Sequence, residues 1–295
     1  MKDHQLRALL RVAECGSIRA AARVMNLSQS ALTRALRELE ADVGAQLLAR
    51  SYRGIEFTPA GTALLKHARL ALSILDKAVE EVRLLRGGVD SHVAIAVTPM
   101  AGALVLPRVL REYACLRPDT EVRLTEGLLT QVLPDLIEGR LDFAIAIVNP
   151  ADLPYEISFE PVCDAEITIA GRLGHPLGAH TTWSALADAA WVLNLSPGSL
   201  AHTFETWCRN QDLPRPRHVV HCSSTMLMLE LMQRTDHIGV GPARLFTDAL
   251  VGHGIQRIEV QPFPPAMPLG LLRVRGIPLS TSAKPMAALF MRYLA

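Results

Sequence analysis

The 295-residue sequence has few cysteines, and they follow no pattern. Its five cysteines, Cys15, Cys115, Cys163, Cys208 and Cys222, are dispersed without the short spacings of metal ligands. An odd, scattered set fits reduced thiols better than a disulfide framework. The sequence therefore predicts neither a metal site nor structural disulfides.

Long uncharged hydrophobic runs are also missing. Although 49% of the residues are hydrophobic, no uncharged stretch is long enough to span a bilayer. The first residues lead into a segment that carries Arg7 and Arg11, which does not fit a signal peptide. These absences predict a cytoplasmic protein with no membrane partner.

The sequence lacks the common catalytic signatures. It has no nucleophile elbow, no Walker lysine loop and no paired-cysteine motif. The glycines of Gly239-Val240-Gly241 lack the rest of a dinucleotide fingerprint. His218 and His221 lie on a predicted strand that directs them to opposite faces. We expect no catalytic residue, no metal ion and no cofactor.

The formal net charge of +1 conceals an uneven distribution. Residues 1–86 carry 14 Lys and Arg against 9 Asp and Glu, whereas residues 87–295 carry 16 against 20. A basic N-terminal part on an acidic remainder is typical of a nucleic-acid-binding head attached to a separate body.

Two short helices follow each other in the N-terminal part, and each is preceded by a serine. Ser17 and Ser28 are suitable N-caps, with Asn26 and Leu27 as the break between the helices. The second helix begins with short polar side chains and continues with arginines, which suits an element that enters the DNA major groove. An ordinary solvated helical hairpin is the alternative for this segment alone.

The flanking residues extend this pair into a larger unit. A helix is predicted before Gly16, and a β-hairpin with its turn at Arg53-Gly54 is predicted before a new helix that Thr58 caps. Residues 1–58 are thus predicted to form a winged helix-turn-helix. Its candidate DNA-binding residues are Ser17, Ser28, Gln29, Ser30, Thr33, Arg34 and Arg37, with Arg50, Ser51 and Arg53 in the wing.

Residues 59–87 are predicted to form one long linker helix. Its apolar positions alternate in steps of four and three, which is a heptad pattern typical of contact between two helices. A helix that packs on its own domain gives a similar stripe. The candidate dimerisation residues are Leu64, Ala68, Ala71, Leu75, Ala78, Val82 and Leu85.

Residues 88–295 alternate between predicted strands and helices, beginning with a buried strand at 92–98. This alternation predicts a mostly parallel α/β sheet. Residues 99–102 are expected to form a loop. Ligands in such folds bind at the carboxyl ends of the strands, beside helix N-termini.

The N-terminal 61 residues resemble the LysR-type transcriptional regulators. The resemblance rests on Ser28-Gln-Ser-Ala-Leu-Thr-Arg34, then Leu39-Glu40, Val43-Gly44, Leu47-Leu48, Arg50 and Thr58-Pro-Ala-Gly61. The family often has proline at the position of Ser30, serine at that of Thr33 and phenylalanine at that of Leu48. These departures leave the fold prediction unchanged.

The resemblance implies a double-stranded-DNA-binding head, a dimerising linker and an effector domain like periplasmic binding proteins. Lobe one of that domain is expected at residues 91–161 and 268–295, and lobe two at 162–267. The family also implies a homodimer or homotetramer, a small-molecule effector and contact with RNA polymerase.

The cleft between the lobes is the expected effector site. Hydroxyl groups and helix N-termini there suit an organic acid anion, aromatic acids included. Each hydroxyl residue has the alternative role of a simple helix cap. The candidate effector-binding residues are Thr98, Pro99, Met100, Leu128, Thr130, Ser196, Gly198, Ser199, Ser223, Thr225 and Pro242.

Two other functions remain open at this point. One is an α/β small-molecule-binding protein without regulatory output. The other is a regulator of the same family that senses oxidants through a cysteine.

Overall fold

The computed structural model describes residues 1–51, 54–86, 91–178, 180–263 and 265–295. For residues 50, 51, 54, 84, 85, 100 and 101 it describes the backbone alone. The chain separates into two compact units. One comprises residues 1–88 with 137–140, and the other comprises residues 89–136 with 141–295.

The first unit is a winged helix-turn-helix followed by a long helix. Ser17 accepts a hydrogen bond from the Ala20 N–H (3.4 Å), and Ser28 accepts one from the Ala31 N–H (3.1 Å), so both predicted N-caps are confirmed. Gly16 (φ 65°) ends the first helix, as predicted, and Gly44 (φ 71°) ends the third helix; both glycines are in the left-handed region. The elements are α1 (Asp3–Cys15), α2 (Ile18–Val24), α3 (Gln29–Val43), β1 (Leu48–Ser51), β2 (Gly54–Phe57) and α4 (Pro59–Leu85).

Close packing of small residues holds the head together. Ala21 and Ala22 of α2 are buried, which lets the backbones of its neighbours approach. A Cβ on Gly61 would lie 2.0 Å from the Leu47 carbonyl oxygen, so only glycine fits where α4 meets the hairpin. The core is completed by Leu9, Val12, Leu32, Leu36, Leu39 and Leu47.

The structure divides the predicted heptad stripe of α4 into two parts. Leu64 is half-buried against the core of the head, and Ala68 is 2% exposed. The burial of Ala68 within the chain corrects its assignment to a face between subunits. The later positions Ala71, Leu75, Ala78 and Val82 are exposed. The side chain of Leu85 lies outside the described residues.

The second unit contains two five-stranded sheets, and these form two lobes. The sheet of lobe one has the order β4-β3-β5-β12-β6, and the sheet of lobe two has the order β11-β7-β10-β8-β9. The strands, in chain order, are β3 (Ser91–Val97), β4 (Thr120–Glu126), β5 (Phe143–Ile147), β6 (Ile157–Ala165), β7 (Ile167–Arg172), β8 (Ala190–Leu193), β9 (His218–His221), β10 (His237–Pro242), β11 (Ile255–Ile258) and β12 (Met267–Val274).

Helices cover these sheets and follow the carboxyl ends of several strands. The largest buried side chains of the unit include Tyr113, Phe143, Trp191 and Phe290, all in one continuous core cluster. The helices are α5 (Pro99–Leu104), α6 (Leu106–Leu116), α7 (Leu129–Ile137), α8 (Trp183–Asp188), α9 (Leu200–Asn210), α10 (Thr225–Arg234), α11 (Ala243–Thr247) and α12 (Ala283–Leu294).

Four features differ from the sequence-based expectation. The sheets are mixed, because β12 runs antiparallel to β5 and β6, and β7 runs antiparallel to β10 and β11. Strands β6 and β11 and helix α11 were not predicted. β6 contains Pro161, which is tolerated because β6 lies at the sheet edge. It extends to Ala165, so lobe one continues past the expected boundary at 161. The expected loop after Thr98 is helix α5, with Pro99 at its first position.

Candidate functional sites

The polar residues of α3 lie together on one exposed surface. We call this the recognition surface, and the side chains that line it repeat at helical spacing. It contains Gln29, Ser30, Thr33, Arg34, Arg37, Glu38 and Ala41. Five of these are predicted DNA-binding residues. Ser17 and Ser28 are not among them, and their structural role is to cap α2 and α3.

Hydrogen bonds organise the recognition surface. The Ser28 and Ser30 hydroxyls lie 2.9 Å apart, and the Thr33 hydroxyl donates to the Gln29 carbonyl oxygen (2.8 Å). Arg34 donates from Nε to Glu38 Oε1 (2.9 Å), while its side chain remains 83% exposed. A basic, polar and exposed helix face of this kind is able to contact base edges and phosphates.

Sequence reasoning missed Glu38 and its partner Gln5. Glu38 receives a second hydrogen bond from Gln5 Nε2 (3.4 Å), and the Arg34 hydrogen bond holds the pKa of Glu38 below its usual range. The spacing of four residues between Arg34 and Glu38 was a usable signal. Nothing in the sequence indicated that Gln5, on α1, reaches this pair.

For the predicted DNA-binding residues of the wing, the structure describes at most the backbone. Arg50 and Ser51 lie in β1, whose backbone pairs antiparallel with Ile55 and Gly54 of β2. Their side chains, and the whole of Arg53, lie outside the described residues. Their assignment to DNA binding therefore stays a prediction.

A cavity of about 160 Å³, which we call the inner cavity, opens between the lobes of the second unit. Its walls come from the carboxyl ends of strands and the first turns of helices, as the fold rule predicts. Seven predicted effector-binding residues line it, namely Thr98, Pro99, Leu128, Gly198, Ser199, Thr225 and Pro242.

The other four predicted positions do not contribute a described side chain to the inner cavity. The Thr130 hydroxyl instead donates to the Pro197 carbonyl oxygen (3.2 Å), which joins lobe one to lobe two. The Ser196 N–H binds the Asn194 side chain (3.1 Å), and Ser224, not Ser223, caps α10. The side chain of Met100 lies outside the described residues.

The hydroxyl groups around the inner cavity differ in the hydrogen bonds that they form. Ser199 donates to the Asn194 carbonyl oxygen and accepts from the His202 N–H (3.1 Å), so it has the structural role of a cap for α9. Thr98 differs, because its Oγ1 is buried and has no hydrogen-bond partner in the described part of the chain. A buried hydroxyl without a partner is unfavourable, so Thr98 is available for a ligand.

Apart from Asn194, the rest of the inner cavity is apolar. None of its described lining residues is charged. Sequence reasoning missed most of this wall, although the methionines of α10 gave a weak signal. The missed apolar residues include Met228, Leu229, Met232, Val240, Leu245 and Phe246.

A wider groove of about 850 Å³ adjoins the inner cavity. The two share Thr98, Pro99, Thr225, Leu229 and Leu245. The groove also presents two carboxylates, from Glu126 and Glu230, and the latter forms an ion pair with Arg234. The groove therefore borders the inner cavity at Thr98.

The described residues form neither a metal-binding cluster nor a membrane-spanning helix. Nowhere in the described ranges do three or more His, Cys, Asp or Glu side chains come together as metal ligands would. The described helices also include none with the length and apolar character needed to cross a membrane.

Two family models match the chain. The model "Bacterial regulatory helix-turn-helix protein, lysR family" matches residues 4–62, and "LysR substrate binding domain" matches residues 86–295. Together they account for both units.

Two relatives of this chain carry the names of transcriptional regulators. The regulator GbpR of Rhizobium radiobacter is 32% identical over 244 residues, which is 79% of this chain and 78% of that protein. The regulator GalR of Pseudomonas putida is 24% identical over 96% of this chain and 72% of its own length.

Solved structures share the fold over the full length. Full-length CbnR, in complex with its target DNA, has a TM-score of 0.66 at 23% identity and covers 100% of this chain and 99% of its own. A full-length OxyR from Pseudomonas aeruginosa has a TM-score of 0.69 at 18% identity, with 98% and 94% covered. With a helix-turn-helix head, a two-lobed α/β body and family models that match both, this chain belongs to the LysR family of transcriptional regulators.

Proposed function

We propose that this regulator binds double-stranded DNA through the recognition surface and responds to an organic acid that enters the inner cavity. The DNA proposal is supported by the exposed face of α3, where Gln29, Ser30 and Thr33 stand beside two arginines. An α-helix fits the width of the major groove, and polar and basic side chains of these kinds contact base edges there. A DNA-binding regulator of this kind acts in the cytoplasm.

The unpartnered hydroxyl of Thr98 carries the effector proposal. It lies in the wall of an apolar cavity that also includes Leu200 and Ala201, the first residues of α9. Backbone N–H groups at the first turn of a helix lack an intrahelical acceptor and favour anions. A carboxylate would accept from these groups while its hydrocarbon part, aliphatic or aromatic, occupies the apolar walls.

The exposed apolar face of α4 supports a homodimer, and two dimers would give a homotetramer. Ala71, Leu75, Ala78 and Val82 are regularly spaced and exposed in the single chain, and burial of such a stripe stabilises a helix pair. Two heads on one axis would bind half-sites about one DNA turn (~34 Å) or a multiple apart. An effector that favours one arrangement of the subunits would change the bending of the promoter DNA and the contact between the regulator and RNA polymerase.

The DNA proposal is tested with Arg34→Ala in the full-length protein. The probes are a duplex that the wild type enriches from a random library and a scrambled duplex of the same composition. We expect the substitution to lower affinity for the enriched duplex by about 1–3 kcal/mol if Arg34 contacts guanine. The matched control is Arg11→Ala on α1, an exposed arginine that does not line the recognition surface. Equal affinities for Arg34→Ala and wild type on both probes would contradict the assignment.

The effector proposal is tested by calorimetry on the full-length protein with a panel of aliphatic and aromatic carboxylic acids, each paired with its uncharged amide. We expect at least one acid to bind and its amide to bind more weakly, because only the acid supplies an anion to the N–H groups of α9. Binding of neutral amides with no binding of acids would overturn the anion proposal and leave the cavity as the effector site.

A further inference from the structure

We propose that Glu38 is a positioning residue for DNA sequence recognition. It holds the guanidinium of Arg34 by one edge and leaves the other edge free for a base. This inference rests on the proposed DNA-binding function of α3. The sequence predicted only polar and basic DNA-binding residues on this surface, and Glu38 adds an acidic one.

The geometry of the pair leaves the useful donors of Arg34 free. Glu38 Oε1 accepts from Arg34 Nε at 2.9 Å, and the two residues lie one helical turn apart. Guanine presents two acceptors, O6 and N7, and an arginine contacts both with two parallel N–H donors. Because Nε is bound by Glu38, the two terminal nitrogens remain for that contact, in a plane that the carboxylate fixes.

A second chain of bonds fixes the carboxylate itself. Gln5 of α1 is 1% exposed, and its Oε1 accepts from the Lys2 N–H at 2.8 Å. Its Nε2 is therefore directed outward and donates to Glu38 Oε2 at 3.4 Å. Both oxygens of Glu38 are thus used, one by each partner. This series of hydrogen bonds, from Lys2 through Gln5 and Glu38 to Arg34, connects the N-terminus of α1 to the recognition surface.

This arrangement favours specific over non-specific binding. An arginine held in place loses less conformational freedom when it meets a base. The charge of the carboxylate also repels phosphates, which lowers the affinity for specific and non-specific DNA alike and leaves their ratio to the positioning of Arg34. Glu38 therefore increases the ratio of specific to non-specific affinity, and its removal would reduce that ratio even if overall affinity rises.

The test compares Glu38→Gln with Glu14→Gln in the full-length protein. Glu14 is a matched control because it forms an ion pair with Arg11 at 2.6 Å on α1, its side chain is 46% exposed against 42% for Glu38, and it does not line the recognition surface. The probes are the enriched duplex and its scrambled counterpart, measured by fluorescence anisotropy over a salt series. We expect Glu38→Gln to bind the scrambled duplex several-fold more tightly and the ratio of affinities to fall about tenfold, whereas Glu14→Gln leaves the ratio unchanged.

Glu38→Asp separates position from charge. It keeps the negative charge but is one methylene shorter, so we expect it to lower the affinity ratio while the salt dependence stays as in wild type. In a double-mutant cycle, Glu38→Gln should not lower the ratio further once Arg34 is alanine, because the positioned group is absent. Circular dichroism melts of each variant establish that the fold is retained.

The outcomes distinguish the inference from the function on which it rests. If Glu38→Gln changes affinity for both duplexes by the same factor, Glu38 contributes charge alone and the positioning role is wrong. A fall in the ratio for Glu38→Gln that persists undiminished in the Arg34→Ala background would also overturn it. If the wild type enriches no sequence from the library, the DNA-binding proposal itself fails.

Discussion

At the scale of single residues, the hydroxyls near the inner cavity differ in what they bind. Ser199 is bonded on both sides, and the Thr130 hydroxyl bridges the two lobes. Thr98 Oγ1 is buried and has no partner in the described part of the chain. Side chains of similar chemistry thus have three roles, and the neighbouring backbone determines which one each side chain takes.

The first prediction concerns Thr98→Val, which replaces the hydroxyl by a methyl group of similar size. Because the hydroxyl has no partner to lose, we expect the free energy of unfolding in urea to stay constant or rise by up to about 1 kcal/mol. We expect affinity for the acid identified by calorimetry to fall about tenfold, which corresponds to one lost hydrogen bond to an anion.

The control is Thr203→Val, on α9 of lobe two and outside the inner cavity. The Thr203 hydroxyl donates to the Ser199 carbonyl oxygen (3.3 Å), so its loss should lower stability by about 0.5–1.5 kcal/mol and leave acid affinity unchanged. If Thr98→Val loses as much stability as this control and no affinity, the hydroxyl is structural.

A second residue-scale prediction bears on the oxidant-sensing alternative. Burial raises the pKa of the Cys208 thiol to about 12 and raises that of Cys163 above its ordinary value. The thiolate is the reactive form, so we expect both to resist iodoacetamide in the native protein at pH 8. Exposed Cys115 should be labelled, as followed by mass spectrometry. Labelling of Cys208 as fast as Cys115 would contradict the prediction.

At the scale of elements, α4 has two different ends. In its first half, Leu64 packs against the core of the head and Ala68 is buried. In its second half, Asp76 accepts a hydrogen bond from Arg7 of α1 at 2.7 Å. The hydrogen bonds from Arg7 to Asp76 and Asp3 raise the pKa of Arg7 above its ordinary value. After Ala68 the apolar positions Ala71, Leu75, Ala78 and Val82 are exposed, so this part of α4 is available to another subunit.

The third prediction is that Leu75→Glu combined with Val82→Glu dissociates the oligomer. A carboxylate buried in an apolar helix contact is strongly unfavourable, so we expect the dissociation constant to rise at least tenfold. Light scattering after size-exclusion chromatography should show mass moving toward the 32.2 kDa chain. Thr62→Glu, at an exposed polar position of the same helix, is the control. An unchanged mass for the double variant would place the interface elsewhere.

At the scale of the whole molecule, the chain has two units that each contain a core of their own. The core of the head consists mainly of leucines and alanines of its three helices. The core cluster of the body is much larger; it includes Trp183 and Trp191, and the third tryptophan, Trp207, packs against it. Such units unfold independently unless a large apolar contact couples them.

The fourth prediction follows from this division. Calorimetric unfolding of the full-length protein should show two transitions, and tryptophan fluorescence should follow the transition of the body alone. The bound acid should raise the temperature of that transition, because a ligand stabilises the state that binds it. A single transition that the acid shifts as a whole would show that the two units unfold together.

Much of this architecture was predictable because the signals are local. An N-cap depends on a serine and the next three residues, and both Ser17 and Ser28 cap their helices as expected. The missed elements depend on distant partners. β6 contains a proline that ordinarily breaks a strand, and it is stabilised by pairing with β12, about a hundred residues downstream.

The sequence by itself determined the helix-turn-helix, the long linker helix, the α/β class of the body and seven residues of the inner cavity, because caps, periodicity and strand ends are local properties. The division into two lobes came from the family resemblance. The tertiary structure decided which hydroxyl lacks a partner, which part of α4 is already buried, and that Gln5 reaches Glu38. These depend on backbone groups and side chains brought together from distant parts of the chain. No local pattern records them, since a hydrogen bond requires both partners to be placed within about 3.5 Å.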